Sequence, residues 1–209
     1  MFIQTLFNDP RLFFSQLLIV VFSVSCHEYI HALTAYKLGD PTAAEHGHLT
    51  LNPFKQMGFT SLLMLCFLGL AWGQIPVNPA NLRGKHAPAI VAVSGPLTNA
   101  VLSMIFCLLA VAGALFGFPR FAGKMMVYGA IINMVLMIFN LLPIPGLDGW
   151  NILRTYWRKD LSKAGEFIKG AFFILFMLVF TCFQYIYNAA AWVVLNICNA
   201  IVSFVQGML

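Results

Sequence analysis

Residues 12–26 hold no charge and only four polar side chains, Ser15, Gln16, Ser23 and Ser25, and they lead straight into the motif "HEYIH" at His27–His31. This junction constrains the fold more than any other feature. In lipid, every backbone polar group must be bonded within the protein, so an apolar run of this kind is a helix. The motif inherits that helix. Composition agrees: the chain is 60% hydrophobic and 9% charged, whereas soluble domains hold about 25% charged residues. Seven acids and twelve bases cannot cover a water-soluble surface of this size, so an integral membrane protein is expected.

A helical span needs roughly 20 apolar residues. Segments 12–38, 87–118 and 125–142 qualify, the second interrupted by Gly95-Pro96, which should kink or break it. Segment 167–209 has no charge after Lys169 and suits two spans with a tight turn near Asn188. Segment 59–72 is apolar but short, and Gly58, Gly69 and Gly73 flank or interrupt it. Segment 39–53 reads as turn, short strand, turn. The expected fold is an all-α polytopic membrane protein with five or six transmembrane helices. A short membrane-associated β-hairpin or re-entrant segment follows the first helix. A single domain spans 1–209, with a core at 11–158 and a C-terminal helical pair at 167–209; no leader peptide or soluble accessory domain is expected.

The net charge of +5 does not point to nucleic acid, because the bases lie between apolar runs, as in loops beside anionic lipid. Cys26, Cys66, Cys107, Cys182 and Cys198 all sit in apolar segments without a CxxC pair. They read as small buried hydrophobes.

Residues four apart share a helix face, so His27 and His31 can present two imidazoles to one cation. Glu28 can hold a water bound to that cation, which makes the motif two ligands and a general base. A charged group inside a span costs roughly 2.5–3.5 kcal/mol on insertion scales, so ion binding is a better account than chance. A catalytic zinc site needs a third protein ligand and an open position. Asp9 precedes the first span, Asp40 and Glu45 lie in a turn-rich loop, and Asp160 and Glu166 lie among bases. Asp148 alone ends a long apolar run. Pro143 and Pro145 stop that helix, and Gly146 and Gly149 let the backbone turn inward. His46, His48 and His86 are weaker rivals, with His46 and His48 facing one side of the expected strand.

His31 lies near the far end of its span and Asp148 just past the end of 125–142. For both to reach one metal, a single complete span must separate them, and 87–118 supplies it. Segment 59–72 is therefore read as re-entrant or packed on the bundle. With five spans, Lys37, Lys55, Arg83, Lys85, Arg154, Arg158, Lys159, Lys163 and Lys169 share one side, against Arg11, Arg120 and Lys124 on the other. The positive-inside rule then puts the motif end in the cytoplasm.

The strings "HEYIH", "GHLTLNP", "WGQIPVNPANLR", "SGPLTN" and "NLLPIPGLDG" occur in the order seen in site-2 proteases, which the chain resembles over about 21–154. The resemblance implies an intramembrane zinc metalloprotease, hydrolysing peptide bonds within or near transmembrane segments of membrane protein substrates in the lipid bilayer. It implies one catalytic Zn2+ on His27, His31 and Asp148, with Glu28 as base and proton shuttle. It also implies Asn140 as a donor to the developing oxyanion or the substrate carbonyl, and Asn99 as a substrate-binding position near the site. His48 stands where many relatives have Arg. A prokaryotic plasma membrane fits best, with the active site towards the cytoplasm. A metal transporter or a non-cleaving pseudo-protease are the alternatives. Transport predicts several polar positions along a path, and an intact Glu28 argues against the pseudo-protease.

Overall fold

The computed structural model describes residues 2–157, 177, 181 and 183–207. Its helices are α1 (Gln4–Asn8), α2 (Pro10–Lys37), α3 (Thr42–Glu45), α4 (Pro53–Gln56), α5 (Gly58–Leu68), α6 (Ala87–Leu115), α7 (Arg120–Asn140), α8 (Asp148–Tyr156) and α9 (Phe183–Gln206). Four of them, α2, α6, α7 and α9, are long and apolar enough to cross a membrane.

Helix α2 starts where Asp9 accepts from the Leu12 amide and Pro10 fills the first helical position. At about 1.5 Å per residue its 28 residues reach about 42 Å, more than a bilayer core. Contacts run from His31 to Val91 and from His27 to Asn99, and then from Asn99 to Asn133 and from Ser103 to Ala130. That order makes α2, α6 and α7 successively antiparallel. The C-terminal end of α2, the start of α6 and the end of α7 therefore share one side of the bundle.

Buried positions on these helices are mostly small: Ser23, Ala32, Ala35, Ala92, Ser103, Ala130. Large apolar side chains point outwards, including Leu18 at 70% and Trp192 at 69% exposure. In water this distribution would be backwards. In lipid it is expected, because small residues let helices approach and the tails solvate the large ones. Gly129 shows the effect, since a Cβ there would strike the Phe106 ring of α6. On another side of α7, α6, α7 and α9 enclose an apolar core of Val111, Ile131, Val135, Ala190 and Val194. Cys107 and Cys198 adjoin in it, their Cα atoms 6.0 Å apart.

Several expectations need correction. No strand or β-hairpin occurs among the described residues; the segment expected as a strand makes the short helix α3 instead. Ala43 and Ala44 favour helix, and Asp40 accepts from the Thr42 amide and hydroxyl at its start. His46 and His48 accordingly share no sheet face. Gly95-Pro96 does not break α6, which continues through both residues. The tight turn near Asn188 is absent, because Asn188 lies inside α9. Its side chain is satisfied within that helix by Gln184, 3.0 Å away. The described residues thus hold four of the five or six expected spans. The remainder of 167–209, with Cys182, lies outside them, as do Asp160 and Glu166.

Segment 59–72 is settled by length. Helix α5 has 11 residues and ends at Gly69, which has φ +77°. At about 16 Å it cannot cross a hydrocarbon core of about 30 Å. The chain then doubles back. The Ser61 hydroxyl donates to the Trp72 carbonyl (2.6 Å) and accepts from the Trp72 amide (3.0 Å), and the Gln74 amide donates to the Gln56 carbonyl.

Candidate metal and catalytic centre

The structure gathers His27, His31 and Asp148 as the sequence predicts. His27 Nε2 and His31 Nε2 lie 3.1 and 3.2 Å from Asp148 Oδ2 and 3.0 Å from each other. Among the described residues no other group of His, Cys, Asp and Glu could hold a metal ion. Local sequence explains the convergence. The motif's i, i+4 spacing stacks both imidazoles on one face of α2. After α7 ends, Gly146 adopts φ +95°, and a Cβ on Gly149 would strike the Leu141 and Leu142 carbonyls. Only a glycine lets α8 begin this close to the end of α7, and that start carries Asp148.

The donor set fits a cation. His27 Nδ1 meets Asn99 Oδ1 at 2.5 Å, and His31 Nδ1 meets the Val91 carbonyl at 2.7 Å. Both partners are acceptors, so both Nδ1 atoms hold the protons and both Nε2 atoms offer lone pairs. Two lone pairs and a carboxylate oxygen then converge, and a proton or metal cation must sit among them. The spacing of 3.0–3.2 Å is near the edge of about 3.3 Å expected between donors on one tetrahedral zinc. A carboxylate that holds a metal must be ionised, and a cation among these donors would keep the Asp148 carboxyl so.

Glu28 is buried beside this cluster, and two glycines make room for it. A Cβ on Gly95 would strike the Nε2 atoms of His27 and His31, and one on Gly73 would strike the Glu28 carboxyl. The same centre opens into a cavity of about 1090 Å³ whose walls include Glu28, Asp148, Asn140, Trp72 and Arg154. Asn140 donates to the Leu136 carbonyl with one amide hydrogen, and its second has no partner among the described residues. Asn99 also borders the cavity but has no exposed surface, and both ends of its amide are engaged, by His27 and Asn133.

A sequence profile described as Peptidase family M50 matches residues 119–184. "Putative zinc metalloprotease YwhC" of Bacillus subtilis is 31% identical over 169 residues, covering 77% of each chain. The chain belongs to peptidase family M50. "Putative zinc metalloprotease Rip2" of Mycobacterium tuberculosis is 32% identical over 75% of this M50 chain and 62% of its own length. "Putative zinc metalloprotease Rip3" of the same species is 37% identical over 45% of the chain and 25% of its own. No solved structure gives a significant match. The site-2 protease resemblance thus stands, and the M50 chain is an intramembrane zinc metalloprotease.

The rival histidines of this M50 protein lie elsewhere. His46 caps α3 through the Thr42 carbonyl, and His86 stacks on Tyr156 with ring centroids 5.5 Å apart. His48 joins no metal-binding group among the described residues. Four residues near the site were not anticipated: Ser23, Asn133, Ser94 and Gly73. Ser94 donates to the Val91 carbonyl and lies 3.2 Å from His31 Nδ1. Asn133 had a readable signal, as an uncharged amide in mid-span, where polar groups are expensive and need partners. Asp40, passed over as a loop acid, is fully buried. Its carboxylate accepts from Thr42, from the Asn78 amide (2.7 Å) and from the Asn81 side chain (3.1 Å). It ties segment 78–81 to the end of α2.

Proposed function

We propose that His27, His31 and Asp148 hold the zinc of this protease, with Glu28 as general base and Asn140 as oxyanion donor, acting on transmembrane protein substrates. The observation that supports this most is the convergence of three lone-pair donors beside a buried glutamate at the end of a spanning helix. Bound there, zinc supplies Lewis acidity, polarising the scissile carbonyl and bringing the pKa of water towards about 7. Glu28 takes one proton from the attacking water as its oxygen bonds the carbonyl carbon. It then delivers that proton to the amide nitrogen as the C–N bond breaks. The free amide hydrogen of Asn140 stabilises the negative charge that develops on the carbonyl oxygen. The substrate must arrive unwound, since helical carbonyls are already hydrogen-bonded.

The centre sits towards one end of α2, so water needs access from that side only. The excess of bases at that end supports a cytoplasmic active site, and the bacterial relatives favour a prokaryotic plasma membrane. The test uses the full chain purified in detergent with a tagged transmembrane substrate, comparing wild type with Glu28→Gln. Cleavage by wild type and none by the variant, with equal bound zinc, is expected. Equal cleavage by both would remove Glu28 from the mechanism.

A further inference from the structure

One polar chain inside the bundle is not used by the reaction as described. Ser23, Asn99 and Asn133 come from α2, α6 and α7, and each is 0% exposed. Asn133 Nδ2 donates to the Gly129 carbonyl (2.8 Å) and to Ser23 Oγ (2.9 Å). Asn99 Nδ2 donates to Asn133 Oδ1 (2.9 Å), and Asn99 Oδ1 faces His27 Nδ1.

Each link dictates the next. A backbone carbonyl only accepts, so Asn133 must turn its NH2 towards Gly129. Its oxygen is then left facing Asn99. Asn99 must answer with its NH2, which turns its own oxygen to His27. That oxygen only accepts, so His27 must place its proton on Nδ1 and its lone pair on Nε2, towards His31 and Asp148. A flip at any link would set two donors or two acceptors face to face in a buried site, where an unmade hydrogen bond is expensive.

We propose that Asn133 is a positioning residue for the metal centre, which through Asn99 fixes the tautomer and ring orientation of His27. Asn99 accordingly serves His27 and not the substrate. The assignment rests on His27 being a zinc ligand, so the experiment separates the two ideas. Partners of this kind typically change metal affinity by about 10- to 100-fold when removed.

Zinc affinity is measured by chelator competition on the detergent-purified full chain. Loss of zinc in His27→Ala checks the ligand reading on its own. Asn133→Ala should then weaken zinc binding by about 10- to 100-fold. Ser103→Ala is the matched control. It removes another buried α6–α7 hydrogen bond, to the Ala130 carbonyl, one turn along α6 and outside the relay. It should stay within about twofold of wild type. If Asn133→Ala binds zinc as tightly as Ser103→Ala, the residue only packs, and the proposal is overturned.

A second measurement needs no variant at residue 133. Nitrogen-15 shifts of labelled histidine in metal-free wild type, well above the usual imidazole pKa of about 6.5, report the tautomer directly. His27 is assigned from the signal missing in His27→Gln. A proton on Nδ1 is expected; a proton on Nε2 would overturn the proposal.

Discussion

Helix α7 is packed by two different rules on two of its faces. One face is polar, where Asn133 meets Asn99 and the Ala130 carbonyl meets Ser103, each of these side chains buried and hydrogen-bonded. The other face carries Ile131 and Val135, which flank Asn133 in sequence and join Cys107, Val111 and Val194 of α6 and α9 in an apolar core. The apolar face needs only volume filled, and close substitutes of similar size should serve. The polar face needs particular atoms facing particular ways. Fold and function therefore separate between two faces of one helix, and substitutions against the two faces should fail differently.

The largest effect that would separate them is Glu28→Gln. It should lower the cleavage rate by about 10²- to 10⁴-fold, the usual worth of a general base, with zinc content and melting temperature unchanged. Asp148→Ala comes next. It removes the proposed ligand from α8 and should leave the purified protein with little zinc, read by metal analysis after dialysis. A half-loaded, fully active Asp148→Ala would detach the third donor from the centre. Gly73→Ala should follow, because its Cβ has no space beside the Glu28 carboxyl. Activity should fall by at least about tenfold while zinc binding persists, since the ligands themselves are untouched.

Asp40→Asn tests a polar cluster that serves the scaffold. Replacing one oxygen by NH2 loses at least the bond from the Asn78 amide, and unfolding should become easier by about 1–3 kcal/mol. Burial pushes the Asp40 carboxyl up, but donors from Thr42, Asn78 and Asn81 prevail and hold it below its ordinary range. Its contribution is therefore whole above the unfolded pKa of about 3.9 and is lost as pH falls through the lower folded value. Thermal melts of wild type should drop in that acid window, and Asp40→Asn should flatten that part of the curve. The smallest effect should come from Val194→Ala, against the apolar face of α7. It should cost about 1 kcal/mol of packing and leave cleavage per folded molecule unaltered. If it slowed the chemistry instead, the division between the two faces of α7 would not hold.

What was legible in the sequence was mainly local. HExxH is a spacing of four, and a helix turns that spacing into geometry directly. Asp148 was legible because prolines and glycines around it report a turn wherever they occur. Segment 59–72 could be read as non-spanning, because the requirement that His31 and Asp148 meet fixes the parity of crossings. Asn133 stood out as a polar group in mid-span, but its partners lay hidden because they are 34 and 110 residues away, and no periodicity records such a meeting. Asn188 misled in the opposite direction. A polar residue in an apolar run suggested a turn, yet a side-chain bond from Gln184 at i−4 let the helix continue. Segment 39–53 misled because alternating histidines imitate a strand, while strand formation depends on a partner strand that one segment cannot reveal.

The relay to His27 ends on the Gly129 carbonyl, which belongs to the main chain. Every other member is a side chain that one nucleotide change can replace, but this terminus survives any substitution that leaves α7 helical. On this proposal, the proton of an imidazole on α2 is referenced to the backbone of a different helix. A lineage drifting in sequence could rewrite much of the surrounding interface and still find the imidazole proton on the same nitrogen, so long as two amides stood between.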